Sequence, residues 1–302
     1  MPWIESPFFD SELAEADLAA SDKQFVQTFA DQGYVAFDTG IDTKVFDRII
    51  TALAPKYEEG LIKGEAIAQH RLQDAWKYND DVKAIAADPF ILGRLELLYR
   101  RRPIPFQTLN FDVGTQQRTH SDMMHFSSIP ERFMCGVWVA LEDVTLDNGP
   151  LHYYPGSHKL PFYNMTDVGI KATRSLEASN RYMDYADHYE EFIAKVAVNK
   201  GLKKELALIK KGQALIWAAN LLHGGEPITR PGSTRHSQVN HYYFEDCVYY
   251  SPIFTDFALQ DVFLRKIVDI GTGKEVPNRY LGETVSVKRT GSSRSNAYSR
   301  IF

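Results

Sequence analysis

Cysteine, positive charge and long apolar runs are all scarce in this chain of 302 residues. The two cysteines, Cys135 and Cys247, lie among Val, Trp and Tyr in strand-like stretches. This predicts buried thiols rather than a disulfide and fits a reducing compartment, so we expect a cytoplasmic protein. No apolar run is long enough to cross a bilayer. Residues 1–5 show no basic region leading into an apolar core, so no signal peptide is expected.

The charge balance excludes another set of functions. The net charge is −5, which argues against a general nucleic-acid or anionic-membrane partner. No repeat of fixed period is present, which argues against a solenoid or propeller. The composition, 44% hydrophobic and 24% charged, is that of an ordinary globular protein. We therefore expect a single domain over residues 1–302 that binds a small molecule, with its oligomeric state left open.

The first third of the chain has helical patterning. A helix is predicted to begin near Ser21 and to end at Gly33, followed by a short strand over 34–37. A second helix is predicted over 43–57, because its apolar residues recur at helical spacing. A third helical region, 82–99, is interrupted at Asp88 and Pro89. No linker rich in Gly, Ser or Pro follows, so we interpret residues 20–100 as a helical scaffold rather than a separate domain.

From residue 104 the pattern becomes strand-like. Residues 106–113 and 237–244 alternate apolar and polar side chains, while 133–141 is apolar throughout, and shorter strands are predicted at 151–155, 206–209 and 213–218. Many short strands after a helical part predict an α+β protein with a mainly β core, a cupin-like jelly roll or double-stranded β-helix, over 104–250. The polar stretch 160–205, with a helix over 184–198, is predicted to be an inserted lid. Residues 251–302 form a C-terminal extension whose last part, with Arg289, Arg294 and Arg300, is predicted to be a mobile or partner-docked tail.

The stretch around His120 carries the first chemical signal. On a strand, residues i and i+2 face the same side, so His120 and Asp122 can offer one nitrogen and one oxygen to one metal ion. His223 is the best candidate for a third ligand. Two histidines and one carboxylate form the facial triad of non-haem Fe(II) oxygenases, which leaves three coordination positions open. A lone His-x-Asp motif is weak evidence for a metal site, so the assignment depends on other residues that support it.

An arginine further along the chain supports the metal-site hypothesis. The guanidinium fork matches a carboxylate with two parallel hydrogen bonds, and Arg235 lies twelve residues after His223, beyond the turn at 230–233. A hairpin of that length would return the chain beside the His223 strand. Alternation would then put Arg235 and Ser237 on one face, while Arg230 would lie in the turn and point at solvent. Without the triad, a surface arginine would be the default interpretation.

The set His120, Asp122, His223 and Arg235 resembles the Fe(II)/2-oxoglutarate dioxygenases, and specifically the phytanoyl-CoA dioxygenase-like family. Further segments share the resemblance: LDNGPL at 146–151, YPGSHK at 154–159, KGQALI at 211–216 and FADQGYV at 29–35. Their order and spacing are specific together, and the likeness covers about residues 22–250. One departure is Gly225, where the family often has a Ser or Asn that helps to bind the co-substrate.

The resemblance implies an Fe(II)- and 2-oxoglutarate-dependent hydroxylase that uses O2 and releases succinate and CO2. It implies that His120, Asp122 and His223 hold the iron and form the catalytic centre. It also implies that Arg235 binds the far carboxylate of 2-oxoglutarate, with Gln107, Trp138 and Ser237 as further contacts in the pocket. These are expectations from the family pattern.

Other features limit this hypothesis. A halogenase is disfavoured, because such enzymes replace the carboxylate ligand that Asp122 supplies. A cupin-like hydrolase or isomerase and a non-catalytic ligand-binding jelly roll remain alternatives. Arg235 argues against the hydrolase or isomerase, and the intact triad argues against the non-catalytic domain.

The sequence does not identify the substrate. An acyl-CoA, a small polar metabolite and a sugar-type metabolite all stay open. Candidate contacts for an anionic group are Arg118, Arg132 and Lys159.

The remaining histidines are expected to play no part in metal binding. His125 would turn away from the metal if the strand through His120 continued, and would line the substrate side. His152, His236 and His241 lie on strands without a ligand partner at suitable spacing. His158 is expected to cap a loop, and His70 and His188 to be exposed in helical regions.

Overall fold

A computed structural model describes residues 1–63, 70–170 and 185–285. Within these residues the α-helices are α1 (Phe9–Glu15), α2 (Ala20–Gln32), α3 (Thr43–Lys63), α4 (Asp80–Ala86), α5 (Pro89–Tyr99) and α6 (Glu190–Asn199). The first strands are β1 (Tyr34–Asp38), β2 (Arg71–Gln73), β3 (Pro103–Phe111), β4 (Ser127–Ile129), β5 (Met134–Ala140), β6 (Leu151–Tyr153) and β7 (Glu205–Leu206). The later strands are β8 (Gln213–Ala218), β9 (His223–Gly225), β10 (Ser237–Phe244), β11 (Val248–Tyr250), β12 (Ile267–Val268), β13 (Glu275–Val276), β14 (Arg279–Tyr280) and β15 (Glu283–Thr284).

Local sequence signals explain the ends of the N-terminal helices. Gly33 ends α2 in the left-handed conformation, with φ of 79°, which glycine adopts at little steric cost. Asp88 caps α5 by accepting hydrogen bonds from the backbone N–H groups of Phe90 and Ile91, and Pro89 occupies the first turn, where a missing N–H costs nothing. The predicted break at Asp88 and Pro89 is therefore confirmed, whereas α3 runs on to Lys63, past Pro55 and the predicted end.

Three antiparallel sheets form the β core. The major sheet has the strand order β1-β8-β5-β10-β3-β2, the minor sheet the order β7-β6-β9, and β4 pairs with β11. One face of the major sheet packs against the minor sheet, through a cluster that includes Trp138, Trp217, Val239, Leu151 and Tyr153. The opposite face packs against the N-terminal helices. The predicted α+β architecture with a mainly β core is thus confirmed.

The predicted hairpin between His223 and Arg235 is wrong. Strand β9 pairs with β6 in the minor sheet, whereas β10 lies between β3 and β5 in the major sheet. Residues 226–236 therefore cross from one sheet to the other rather than folding back beside β9. Sequence alternation is the same for both connections, so it could not distinguish them.

The described part of the predicted insertion at 160–205 packs against segments next to the predicted metal ligands. A π-helical turn at Tyr185–Tyr189 leads into α6, so the regular helix begins six residues later than predicted. Met165, Tyr185 and Tyr189 share one apolar cluster with Met124 and Leu222, which neighbour the predicted metal ligands in sequence. Residues 171–184 lie outside the described residues. The predicted tail with Arg289, Arg294 and Arg300 does so as well.

The structure bears on two features of the sequence, its cysteines and its lack of long apolar runs. Cys135 and Cys247 are both buried free thiols, so the prediction that they form no disulfide is confirmed. Among the described helices, none combines the length and the apolar character needed to span a bilayer.

Candidate metal centre

Backbone hydrogen bonds bring two of the predicted ligands together. His120 and His223 form an isolated antiparallel bridge, in which the N–H of His120 donates to the carbonyl of His223 at 2.9 Å and the reverse bond measures 3.0 Å. His223 begins β9, while His120 follows the loop after β3. The two imidazole rings consequently lie with their centroids 4.5 Å apart.

Asp122 reaches the same point by a different local structure from the one predicted. The strand does not continue through residue 122, because Asp122 begins a 3-10 turn, Asp122–Met124. Ser121 caps this turn by accepting a hydrogen bond from the N–H of Met123 at 3.3 Å, and its hydroxyl donates to the carbonyl of Ala219 at 3.1 Å. The His-x-Asp spacing thus places both side chains together, but through a capped turn rather than through strand alternation.

The three side chains can hold one metal ion. Their ligating atoms lie within 4.8 Å of one another, and no other such group of three or more occurs among the residues the structure describes. The Oδ1 atom of Asp122 lies 3.9 Å from Nε2 of His120 and 3.8 Å from Nε2 of His223. All three residues are buried. Two imidazole nitrogens and one carboxylate oxygen are a donor set suited to Fe(II).

Hydrogen bonds fix the orientation of both imidazoles. Nδ1 of His120 lies 2.8 Å from the carbonyl oxygen of Arg118, and Nδ1 of His223 lies 2.9 Å from that of Leu221. Carbonyl oxygens accept hydrogen bonds, so each Nδ1 carries the proton and each Nε2 keeps its lone pair for a metal. Both side chains are therefore held in the tautomer that a metal ligand needs.

The protonation states also suit a cation. Burial, helped by His223, lowers the pKa of His120 to about 3, so its imidazole is neutral at physiological pH. Burial alone would raise the pKa of Asp122, but His223, His241 and His120 outweigh it and hold that pKa below its ordinary range. A neutral imidazole and an ionised carboxylate are the forms that bind metals without first releasing a proton.

The second oxygen of Asp122 has its own partners. The indole N–H of Trp217 donates to Oδ2 at 2.7 Å, and Nε2 of His241 lies 3.6 Å from the same oxygen. His241 is not one of the three grouped ligands, but it contacts one of them, which the sequence analysis did not predict. It reaches Asp122 from β10, a contact between distant parts of the chain that sequence spacing does not reveal.

A second polar cluster surrounds Arg235. Arg235 is fully buried, and one guanidinium nitrogen, Nη1, donates to the carbonyl of Gly149 at 2.9 Å. Its Nε and Nη2 atoms have no hydrogen-bond partner among the described residues, nor have Nε1 of Trp138 and Oγ of Ser237. Burial lowers the pKa of Arg235 to about 10, so it stays charged at neutral pH. Buried donors without partners are costly, and here they suit a carboxylate.

The metal centre and the arginine cluster share one interior face. Ser237, Val239 and His241 alternate along β10 and therefore point to the same side. Trp138 lies opposite Val239 and Gln107 opposite His241, and residues directly opposite share a face. Gln107 is buried and its Oε1 atom also has no hydrogen-bond partner in the described chain. The face thus runs from Arg235 at one end to His241, beside Asp122, at the other.

One of the segments that resemble the family holds Arg235 and the residue before it through hydrogen bonds. Gly149, whose carbonyl holds Arg235, belongs to the LDNGPL segment, and Asn148 of that segment donates to the carbonyl of Thr234 at 3.2 Å. Gly225, the departure noted above, has no room for a side chain. A Cβ there would lie 2.8 Å from both the amide nitrogen of Gln116 and Oγ1 of Thr115.

The cationic residues suggested for an anionic substrate have other partners. Arg132 pairs with Glu5 at 2.7 Å, Lys159 with Asp31 at 3.7 Å, and Arg118 donates to the carbonyl of Ala186 at 3.0 Å. Two arginines that the sequence analysis did not identify, Arg71 and Arg265, lie near His125.

His125 is buried at the end of the 3-10 turn rather than on a continuing strand. Its pKa is lowered to about 4, mainly by burial; Asp122 opposes this effect, and the charges of Arg71 and Arg265 add to it. Arg71 comes from the short strand β2 and Arg265 from the C-terminal extension, neither of which carries a motif.

The other histidines fit scaffold roles. His158 is buried, with Nε2 3.1 Å from the carbonyl oxygen of Ala30, consistent with the expected loop-capping role. Nδ1 of His152 lies 2.8 Å from Glu226. His70 is exposed as predicted, but it precedes β2 rather than lying in a helix, and it pairs with Asp112 at 2.9 Å.

Comparisons with known proteins agree with this centre. Residues 29–237 match the sequence profile of a family described as phytanoyl-CoA dioxygenase (PhyH). Phytanoyl-CoA dioxygenase domain-containing protein 1 from Danio rerio is 25% identical over 166 residues, which are 54% of this chain and 51% of that protein. The matched region thus spans about half the length of that relative.

Solved structures show the same fold at low identity. EctD from S. alaskensis, solved with 2-oxoglutarate and 5-hydroxyectoine, aligns with a TM-score of 0.59 and 16% identity, covering 84% of this chain and 85% of that one. The non-haem α-ketoglutarate-dependent epimerase SnoN from nogalamycin biosynthesis aligns with a TM-score of 0.55 and 17% identity, covering 79% and 88%. The carbocyclase SnoK from the same biosynthesis gives 0.53 and 18%, covering 77% and 87%.

Proposed function

Since the chain belongs to the phytanoyl-CoA dioxygenase family, as its motifs predicted, we propose that it is an Fe(II)- and 2-oxoglutarate-dependent oxygenase that hydroxylates a C–H bond of a small-molecule metabolite. One observation carries the proposal: a buried His-Asp-His group shares an interior face with a fully buried arginine that has donors to spare. We further propose that residues 1–302 form one oxygenase domain whose two sheets make a double-stranded β-helix.

The roles of the residues follow from their positions. Nε2 of His120, Oδ1 of Asp122 and Nε2 of His223 would hold the iron. Arg235 would bind the far carboxylate of 2-oxoglutarate, with Trp138 and Ser237 as neighbouring donors and Gln107 beside the metal. When bound, the iron supplies the activation of O2 that couples decarboxylation of 2-oxoglutarate, to succinate and CO2, with oxidation of a C–H bond.

The protein's own contribution is position and exclusion of water. Two backbone carbonyls keep the imidazoles oriented, so neither ring has to turn when the metal binds. Burial of Arg235 strengthens its attraction for a carboxylate, because few water molecules compete for the guanidinium. Nε and Nη2 of Arg235 have no partner among the described residues, which destabilises the pocket when no ligand is bound. The co-substrate would satisfy these donors, and this would favour its binding.

The alternatives make different use of these residues. A cupin-like hydrolase or isomerase would have no co-substrate carboxylate, and Nε and Nη2 of Arg235 would then have no ligand to bind. A non-catalytic ligand-binding domain would not need three metal-ligating side chains in one place. Neighbours of the same fold are named as an epimerase and a carbocyclase, so another oxidative outcome is the main rival to hydroxylation. The position of the substrate C–H bond would decide between these outcomes.

The test begins without a substrate. Fe(II) added to the purified chain with 2-oxoglutarate and O2 should give slow formation of succinate. Asp122→Ala should lose iron and nearly all of this turnover, because the two remaining histidines lose the charged ligand. Full iron occupancy and an unchanged rate in that variant would exclude this triad. A panel of candidate metabolites, scored by succinate formation and product mass, then separates hydroxylation from other outcomes.

A further inference from the structure

The two oxygens of Asp122 face different groups. Oδ1 faces both ligating imidazole nitrogens, at 3.9 and 3.8 Å. Oδ2 accepts a hydrogen bond from the indole N–H of Trp217 at 2.7 Å and lies 3.6 Å from Nε2 of His241. Within the described residues, the carboxylate therefore has one oxygen directed at the metal position and one that is hydrogen-bonded to Trp217 of the major sheet.

A row across three strands makes this contact possible. Gly136 on β5 lies opposite Trp217 on β8 and opposite His241 on β10, so the three residues form one line across the sheet. A Cβ on Gly136 would lie 2.3 Å from Cε2 and 2.7 Å from Nε1 of Trp217. The indole occupies the space over Gly136 that any side chain would fill, and from there its N–H reaches Asp122.

We propose that Trp217 is a positioning residue that restricts Asp122 to binding the iron through one oxygen, with Gly136 providing the space for its indole. This inference rests on the proposed iron centre. A carboxylate with both oxygens available can chelate a metal and occupy a second coordination position. Holding Oδ2 in a hydrogen bond keeps that position open for the co-substrate and O2, and a ligating carboxylate is commonly oriented by such a partner.

His241 supports the same oxygen from the other end of the row. Its ring is buried and lies 3.6 Å from Oδ2, beyond a direct hydrogen bond. Trp217 makes the shorter contact, and the indole N–H can only donate. The substitution that isolates the effect is therefore Trp217→Phe, which removes the N–H and retains an aromatic ring next to Gly136.

The measurement is anaerobic metal binding rather than turnover. Wild type and Trp217→Phe are titrated with Fe(II) in the absence of 2-oxoglutarate, and their Co(II) forms are compared by visible absorption. Loss of an outer-shell partner commonly weakens a metal site by about 10- to 100-fold, so we expect at least a tenfold weaker Fe(II) Kd and an altered Co(II) spectrum. Trp76→Phe is the matched control, because Trp76 also donates its indole N–H to a carboxylate, that of Asp74 at 3.2 Å.

The outcomes separate this inference from the proposed function. If wild type binds no Fe(II), the proposed function fails. If wild type binds and Trp217→Phe matches it in Kd and Co(II) spectrum, only the positioning role is overturned. An equal weakening in Trp76→Phe would likewise overturn it, because the effect would then be general to loss of an indole.

A second measurement covers the case in which Trp217→Phe does not fold. The wild-type chain, labelled with ¹⁵N-tryptophan, is followed by NMR while diamagnetic Zn(II) is added. Its four tryptophans are distinguished by substituting Trp3, Trp76 and Trp138 in turn. The remaining indole N–H signal should be protected from exchange before metal is added and should shift on titration. A signal that exchanges freely and does not move would overturn the inference.

Discussion

At the scale of single residues, Arg235 conflicts with the rules of stability in a way that points to function. Among the residues that the structure describes, this fully buried guanidinium has one hydrogen bond, and two of its nitrogens have no partner. Buried charges usually cost several kcal/mol when unpaired, on the order of 3–5 kcal/mol when a partner is removed. Local conflicts of this kind are expected where a site is built for a ligand.

Replacing Arg235 should therefore separate binding from stability. Arg235→Met should weaken 2-oxoglutarate roughly ten- to hundredfold or more, because a charge-assisted contact contributes about 1.5–3 kcal/mol. Its Tm without co-substrate should equal or exceed that of wild type, since an unpaired charge is removed. Calorimetric titration with 2-oxoglutarate and thermal unfolding measure the two quantities. Iron affinity should hardly change.

Arg230→Met is the matched control. Its side chain is 57% exposed and lies 3.3 Å from Asp147, so it should leave 2-oxoglutarate affinity intact, as the sequence analysis expected for a turn residue. If Arg230→Met weakened the co-substrate and Arg235→Met did not, the assignment of the carboxylate partner would be wrong. If neither variant affected binding, the oxygenase proposal itself would lose its main support.

Motifs in the sequence indicated the candidate metal ligands, but not the residues that approach the centre only in the folded chain. The His120, Asp122 and His223 side chains meet in the structure because a short local motif and a later strand carry them. Trp217 and His241 touch Asp122 from strands β8 and β10, and no spacing in the sequence links them to residue 122. Arg71 and Arg265 approach His125 from segments without any pattern. Such contacts depend on the register of the sheet, which a single sequence does not give.

At the scale of elements, Gly225 shows how packing excludes a family contact. Gly225→Ser should lower Tm rather than add a co-substrate contact, because its Cβ would lie 2.8 Å from backbone and side-chain atoms of residues 115 and 116. Relieving such a clash in a packed site costs typically about 1–3 kcal/mol. Thermal unfolding measures the effect. A variant that keeps its Tm and binds 2-oxoglutarate more tightly would contradict the steric account.

Gly93→Ala provides the comparison from α5. Gly93 lies in the helix interior, and a Cβ there would meet nothing within 4 Å. Alanine should therefore stabilise the chain by about 0.5–1 kcal/mol. Opposite signs for the two glycine substitutions would show that close packing, rather than glycine itself, decides the outcome.

Helix α6 begins with a buried acid that should make stability depend on pH. Burial raises the pKa of Glu190 to about 7, against the lowering effect of Arg118. A raised carboxyl pKa means that the folded state binds a proton more tightly, so stability is lost as pH rises from about 4.5 through 7. Glu190→Gln should match wild type below about pH 4.5. At pH 8 it should exceed wild type by about 2 kcal/mol, from about 1.4 kcal/mol for each pKa unit reduced by partial solvent screening. Thermal unfolding across this pH range measures the difference.

The neighbouring residue serves as its control. Glu191 is exposed, and its hydrogen bond with Lys195 lowers its pKa, so its charge is already present throughout this pH range. Glu191→Gln should therefore differ from wild type by the same amount at every pH above about 5.5, where the carboxyl of the unfolded chain is ionised as well. A pH-independent difference for Glu190→Gln would show that its carboxyl group ionises normally.

At the scale of the whole molecule, the metal should tie distant parts of the chain together. His120 and Asp122 follow β3, while His223 belongs to the minor sheet. A ligand that binds only the folded state stabilises it, by about 2.7 kcal/mol at one hundred times its Kd. Anaerobic Fe(II) should therefore raise Tm, and chelation should reverse the rise. Asp122→Ala should show no shift, while the surface variant Asp81→Ala should shift like wild type. A metal-induced rise in Asp122→Ala would place the ion elsewhere.

The architecture was predictable to the extent that it depends on periodicity. Helix breaks at Gly33 and at Asp88 with Pro89, and the strand 213–218, follow directly from local chemistry. The path from β9 to β10 does not, because a hairpin and a crossing between sheets need the same length and alternation. The π-helical turn before α6 also escaped prediction, since its residues read as ordinary helix and the difference lies in how Tyr185 and Tyr189 pack.

The bridge between His120 and His223 has a consequence for how such a protein can change over evolutionary time. Its two hydrogen bonds join backbone to backbone, so the spacing of the two histidine backbones does not depend on a neighbouring side chain. Separate segments lie beside the centre: the ring of Tyr185, from the insertion, is 4.8 Å from that of His125, and Arg265, from the C-terminal extension, is 4.7 Å from that of Phe126. Substitutions there can drift toward new substrates while the metal ligands keep their separation. Under the proposed function, the backbone bridge thus separates the geometry of the metal site from the segments that surround it.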